Sequence, residues 1–397
     1  MGLQVKELPK QTPLESRKPR SDYYYISEES SKLAKHPEWI PTWDLNQEKR
    51  FENWEPFRHT DRGYFGDPTF DSLFADADVK TRKLTPRLGT EITGVQLSSL
   101  TPRQKDDLAL LVEQRGVVVF REQDFKNQSF EDIKNWGKYF GPLHIHPTSG
   151  IPAGHPELHI IFRRGGKEST KQFFANKLNS STWHSDITYE TQTPGVTLFG
   201  MLQTDVGGDT QFLDTIVAYE RLSPTFQKLI DGLKVVHSSR EQALHAKENG
   251  GIERKPVIDS IHPLVRYHPV LKKKALFVNR GFSRRILGLK EEESEALLQF
   301  LFHHIETCLD AHIRAQWDDK TVTVWDNRRL LHTATIDWDD DTLRHAFRLT
   351  TLAERPIASE EEFNEWTPEA EKEELDKKEE TLSLTPAEFY EKYYKKD

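Results

Sequence analysis

The sequence predicts a mainly β fold with packing helices, a double-sheet jelly roll, on three observations. Short segments rich in β-branched and aromatic residues recur through the central body, each closed off by Gly, Pro or Asp. Helical periodicity is confined to a few capped stretches between them. No internal repeat or low-complexity block interrupts the body.

Taken in chain order, residues 1–80 form an N-terminal extension that is polar and proline-bearing yet rich in aromatics: Tyr23, Tyr24, Tyr25, Trp39, Trp43 and Trp54. A disordered tail is normally poor in aromatics, so this arm is expected to lie against the core or a second subunit as irregular structure. The domain proper spans 81–353. Thr101-Pro102 reads as N-cap and first helical position, with Leu108, Leu111 and Val112 as the apolar stripe. Gly116 then precedes a short buried strand, Val117 to Phe120. Ser129 caps a second helix carrying Phe130, Ile133 and Phe140. Ser223-Pro224 opens a third, with Phe226, Leu229, Ile230 and Leu233 at helical spacing. The best-defined helix covers 290–309, where Leu297, Phe300, Leu301, His304, Ile305 and Cys308 line one face. Strands are predicted at 196–202, 209–214, 274–278, 321–326 and 344–352. Many short strands with few helices fit the cupin-like double-sheet arrangement. The tail, 354–397, is dominated by charge and reads as a solvated helix, with Phe363, Trp366, Phe389 and Tyr390 able to dock.

Bulk properties narrow the function. A chain of 397 residues can bury a full core. A net charge of −9 and a pI near 6.0 leave no basic surplus for phosphates, which sets nucleic-acid binding aside. The lone Cys308 cannot form an intrachain disulfide, as expected of a cytoplasmic protein. No apolar run approaches the ~18 residues that cross a bilayer, so no membrane role is expected. The opening stretch lacks the apolar core of a secretory signal, and Met1-Gly2 has no convincing myristoylation continuation.

The chemistry is carried by His184-Ser185-Asp186 together with His332, just beyond the alternating run Thr321 to Trp325. On extended backbone, residues i and i+2 share a face with Cα atoms roughly 6.5–7 Å apart, so His184 and Asp186 can reach one metal. Two imidazoles and one carboxylate cap one face of an octahedral ion and leave the other open, which suits non-haem Fe(II) taking up a co-substrate and O2. His304 falls on a helix stripe and reads as core; His345 should point away from Arg344. Arg344 and Arg348 share a strand face, about 13 Å apart, with the small Ala346 between them. Two inward guanidinium groups mean two separate anions.

These residues sit in stretches that resemble the taurine/chlorophenoxyacetate dioxygenases, and within them the fungal-type sulfonate dioxygenases. The similarity runs from about Leu84 to Leu352 through Thr85-Pro86-Arg87-Leu88-Gly89, Gly116 to Arg121, Phe140-Gly141-Pro142-Leu143-His144-Ile145-His146-Pro147, Trp183 to Asp186, Gly207-Gly208-Asp209-Thr210, Leu276 to Phe282, Trp325-Asp326-Asn327-Arg328 and Arg344 to Arg348. The resemblance implies a double-stranded β-helix, another name for the jelly roll, and a need for Fe(II), α-ketoglutarate and O2. It implies that His184, Asp186 and His332 bind iron and that Thr210 and Arg344 hold the distal carboxylate of α-ketoglutarate. Arg348 and His146 would grip a small anionic substrate by its sulfonate, and Phe282 would wall the pocket. Hydroxylation at the carbon bearing sulfur would give an aldehyde and sulfite, with succinate and CO2. A homo-oligomer is a further expectation of the family. The chain departs from taurine-specific members in having Ser149 where a tyrosine stands, Ser180 (beside Asn179) where an asparagine precedes the first ligand, and Phe212 for a usual tryptophan. An alkyl sulfate ester, a purine such as xanthine or a carboxylic acid remain alternative substrates. A non-catalytic binding relative and a zinc hydrolase on the same triad are the alternatives of other classes.

Overall fold

Alternation along the strands decides the architecture. In this computed structural model, which describes residues 7–8, 24–43, 50–165, 167–175, 177–338 and 342–395, seven strands form the larger sheet. Their order is Lys80–Lys83, Thr90–Thr93, Val117–Phe120, Val322–Asp326, Pro194–Gln203, Leu343–Leu352 and Leu158–Arg164. A smaller sheet faces it, ordered His312–Ala315, Thr210–Asp214, Leu330–Ala334. On the larger sheet, Val118, Phe120, Val322, Val324, Leu343, Phe347 and Leu349 point outward, where they pack with Leu108, Leu111, Val112, Ile133 and Trp136 of two helices. Val117, Val119 and Trp325 point inward and meet Phe212, Ile313 and Leu330 of the smaller sheet. Side chains of successive residues stand on opposite faces, so one strand serves both layers.

Helix Pro102–Arg115 begins as its sequence foretells: Thr101 accepts from the amide of Gln104, whose side chain caps Thr101 in return. It stops at Gly116, whose φ of 72° and approach to Leu88 (2.6 Å from an added Cβ) leave no room for a side chain. Helix Glu291–Thr307 buries Leu298, Leu301, Phe302 and Ile305, a face rotated from the expected one; Phe300 is largely exposed and rests on Phe226. Helix Pro224–Ile230 ends before Leu233 and buries Ile230, while Leu229 faces solvent.

The N-terminal segment is irregular and anchored by aromatics. Trp39 stacks on Phe347 and meets Phe130 edge-on, both at 4.6 Å, and its carbonyl accepts from His345 Nε2 at 3.1 Å. Tyr24, Phe51 and Phe57 are also buried; Tyr23 and the Met1-Gly2 opening lie outside the described residues. The tail is four short helices, 360–365, 368–376, 378–383 and 386–393, where one solvated helix was expected. Pro368 and Pro386 account for two of the three breaks, since proline starts a helix but cannot continue one. Phe389 is buried with Val236 and Leu287, Phe363 and Trp366 are half-buried, and Tyr390 is exposed. Among the described residues, no helix is long and apolar enough to cross a membrane.

One buried cation ties these parts together. Arg328 bonds Asp326 at 2.8 Å, Glu113 at 2.8 Å, Glu354 at 3.3 Å and Asp61, so the N-terminal segment, a helix and two strand ends share one guanidinium. Removing one partner of a buried ion network leaves the rest uncompensated. Arg328→Met is expected to cost about 3–5 kcal/mol in denaturant-induced unfolding.

Candidate active site

His184 and His332 meet through the backbone. Each donates its amide to the other's carbonyl, at 3.1 and 2.8 Å, which adds a further strand segment to the smaller sheet. In such a reciprocal antiparallel pair both side chains leave on one face, and the two rings stand 4.3 Å apart. Asp186 Oδ1 lies 3.6 Å from His184 Nε2 and 3.7 Å from His332 Nε2. A ligand atom from each of the three lies within 4.8 Å of the others. Neighbouring ligands on an octahedral ion are about 3 Å apart, so a small contraction closes this set on a metal. His184 Nδ1 donates to the Thr182 carbonyl at 2.6 Å, which leaves the Nε2 lone pair for the metal. His332, expected just beyond the strand at 321–326, lies within a strand of its own, Leu330–Ala334. The turn at 327–329 carries the chain from one sheet to the facing one, so a new strand starts at once.

Burial alone would raise the Asp186 carboxyl, but Arg348, His332 and His184 hold it well below the usual carboxylate range. Burial pushes the His332 imidazole down to about 3, which keeps it neutral and able to ligate. Arg348 Nη1 donates to Asp186 Oδ1 at 2.6 Å, while Asp186 Oδ2 is enclosed without a partner.

The second guanidinium occupies a different cradle. Arg344 is buried between the rings of Trp317 and Trp338, at 6.0 and 5.8 Å. Its Nη1 has no hydrogen-bond partner, and an added Cβ at Gly208 would stand 2.3 Å from that atom. Burial, then Arg163, pulls its pKa down to about 10, so it stays charged at neutral pH. Thr210 accepts from Trp317 Nε1 at 3.1 Å and keeps its own hydroxyl proton to donate. A buried guanidinium with an unmet Nη1, beside the tryptophan that binds the Thr210 hydroxyl, fits the distal carboxylate of α-ketoglutarate.

His146 is buried, its Nδ1 accepting from the amides of Thr148 and Ser149 at 3.2 and 3.1 Å. Its proton therefore sits on Nε2. Phe282 is buried beside Tyr189 at 5.0 Å and His184 at 6.4 Å, forming an apolar wall.

A model of the taurine catabolism dioxygenase TauD, TfdA family matches residues 80–350. The chain belongs to that family. It is 47% identical over 328 residues to a Saccharomyces cerevisiae protein named alpha-ketoglutarate-dependent sulfonate dioxygenase, covering 82% of this chain and 79% of that one. It is 40% identical over 330 residues to alpha-ketoglutarate-dependent dioxygenase cnsM of Penicillium expansum, covering 82% and 91%. The crystal structure of a taurine dioxygenase from Burkholderia xenovorans superposes with a TM-score of 0.58 at 30% identity, over 70% of this chain and 93% of that one.

Against the TauD, TfdA background, the sequence reading left two kinds of residue unassigned. Asn327 accepts from the Asp186 amide at 3.0 Å and donates to its carbonyl at 3.1 Å, while Ser185 Oγ donates to the Asn327 carbonyl at 2.6 Å. These bonds hold Ile187 at a φ of 43°, a left-handed value that a β-branched residue adopts only under constraint. Asn327 stands inside a quoted motif, but only the fold reveals which loop it grips. His159 is the other, and it faces Arg348 across the sheet.

Behind the pocket, Glu190 is buried against Lys255 Nζ at 2.6 Å and His144 Nε2 at 2.9 Å. Burial opposes the charge on Glu190, yet Lys255 and His144 pull it from 4.5 to about 2. Burial pushes His144 from 6.5 down to about 4. For both groups the unfolded chain binds the proton more readily, so stability falls as pH drops. The loss begins below 6.5 as unfolded His144 protonates and continues from 4.5 toward 2 through Glu190. Thermal unfolding should show that decline, and Glu190→Gln should be less stable at pH 7 but shallower between 4.5 and 2. His184 is the most exposed of the three candidate ligands, so His184→Ala should fold yet weaken Mn(II) or Fe(II) binding by about 100-fold or more in anaerobic titration.

Proposed function

We propose that this chain is an Fe(II)- and α-ketoglutarate-dependent dioxygenase that hydroxylates an organosulfonate at the carbon bearing sulfur. The products are an aldehyde and sulfite, with succinate and CO2. Bound Fe(II) and α-ketoglutarate supply the oxidising chemistry, coupling reduction of O2 to decarboxylation of the keto acid. In this reading His184, Asp186 and His332 bind the iron from one side, Arg344 and Thr210 take the far carboxylate of α-ketoglutarate, and Arg348 with His146 takes the substrate anion. Phe282 walls the pocket and keeps water from the reacting carbon. The carrying observation is the pair of buried arginines on one inner strand face, Arg344 with an unmet Nη1 and Arg348 beside the ligand carboxylate. A zinc hydrolase would have no use for a second carboxylate clamp. The sulfonate dioxygenase relative supports sulfonate over carboxylate, and His146 adds a neutral N–H donor to a charged one. The lone Cys308 supports action in the cytoplasm.

The test is a panel of sulfonates, sulfate esters, xanthine and carboxylic acids assayed for succinate together with sulfite. Sulfite release identifies the sulfonate reaction, whereas free sulfate or a hydroxylated product identifies one of the others. Arg348→Ala should raise KM for the sulfonate by about 100-fold while changing KM for α-ketoglutarate little, and Arg344→Ala should do the reverse. Equal effects of either variant on both ligands would contradict two separate anion sites.

A further inference from the structure

The strand register places one more polar side chain in the substrate pocket. In an antiparallel pair, residues directly opposite share a face with Cβ atoms about 4.5–5.5 Å apart. Arg348 stands opposite His159, as Ala346 does opposite Ile161. The alternate residues of that strand, Leu158, Ile160 and Phe162, belong to the outer core. His159 therefore projects into the barrel beside Arg348.

Its surroundings are those of a binding group. The His159 ring lies 4.7 Å from that of His146, tilted by 53°. Its Nδ1 is enclosed and meets no hydrogen-bond partner. Arg348 Nε and the Ser149 hydroxyl are likewise enclosed and unpartnered. A desolvated polar atom left alone is costly, so a ligand that meets these three neighbouring atoms is favoured. His146 has its Nδ1 held by two backbone amides, and so offers only Nε2 to a ligand. His159 has no such tether. A neutral imidazole can carry its proton on either nitrogen, so an anion selects the form that donates to it.

We propose that His159 contacts the substrate and donates to one oxygen of the sulfonate, completing an anion site shared with Arg348 and His146. This rests on the sulfonate reading above. A carboxylate is planar with two oxygens, and the fork of one guanidinium covers both. A sulfonate presents three oxygens in a tetrahedral array, so donors on more than one side are needed to satisfy it. His159 thus makes the pocket discriminate: a carboxylate analogue leaves its N–H unmet, and an unmet buried donor disfavours the wrong ligand.

The experiment uses full-length His159→Ile, which matches the neighbouring Ile161 and suits a strand, and His159→Asn, which keeps an N–H near the position of Nδ1. Taurine, isethionate and butanesulfonate are the sulfonate probes and β-alanine the carboxylate control. The sulfonate that the wild type turns over fastest is carried forward. Its KM is measured by sulfite release, and its Kd by calorimetry on Mn(II)-loaded, α-ketoglutarate-bound protein without O2. His159→Ile should raise both constants by about tenfold or more, leave KM for α-ketoglutarate near the wild-type value, and shrink the preference for the sulfonate over β-alanine. His159→Asn should recover part of the loss. A wild type that releases sulfite while His159→Ile binds the sulfonate within twofold overturns this inference alone. So does an equal loss for the sulfonate and α-ketoglutarate, which would mark a structural role. A wild type that releases sulfite from none of the probes overturns the functional reading, and the inference with it.

Discussion

The reciprocal backbone bonds between His184 and His332 are the constraint on which the site depends. They join the segment between strands Leu158–Arg164 and Pro194–Gln203 to strand Leu330–Ala334, and they set both imidazoles on one face at a fixed spacing. Asp186 is then positioned by Asn327 rather than by its own strand, at the cost of a left-handed residue at Ile187. A triad assembled this way has little rotational freedom left to lose when it closes on an ion. That is the meaning of preorganisation here: the backbone holds the ligands, and the ligands need move only slightly.

The barrel interior is unusual in its polar inventory. Protein interiors normally satisfy nearly every buried donor and acceptor. Here Arg344 Nη1, Arg348 Nε, Asp186 Oδ2, His332 Nδ1, His159 Nδ1 and the Ser149 hydroxyl are all enclosed without a partner. They line one inner region and fall into two groups, one around Arg344 between its tryptophans and one around Arg348. The low dielectric that makes each unmet atom expensive also strengthens its bond to an arriving anion. Asp186 is the charge that Arg348 pairs with in the protein by itself, so an arriving cation and an arriving anion would each engage one member of an existing pair.

Much of this was legible in the sequence, and for identifiable reasons. Arg344, Ala346 and Arg348 share a face because strand periodicity is local, and Thr101-Pro102 announces its helix because capping is local. The triad and the two arginines came from motifs whose spacing is tied to one fold. What escaped depends on contacts between distant segments. Nothing in Leu158 to Arg164 tells which face turns inward until Arg348 is seen opposite His159. The rotated burial of helix Glu291–Thr307 likewise follows from its neighbours, since Phe300 finds Phe226 at the surface and not the core. In the tail, Pro368 and Pro386 mark two helix starts locally, while the charge of the stretch says nothing about where its helices break.

The lodging of Trp39 bears on how the site is held in shape. The indole is pressed against Phe347, the residue next to Arg348 on the reverse side of the same strand, and its carbonyl secures His345, the neighbour of Arg344. The segment around Trp39 thus works as a wedge behind the strand whose front carries Arg344 and Arg348. Trimming it to obtain a tidier catalytic fragment would strip the backing from the strand that carries Arg344 and Arg348, so the arm belongs to the enzyme's working frame and is no mere appendage.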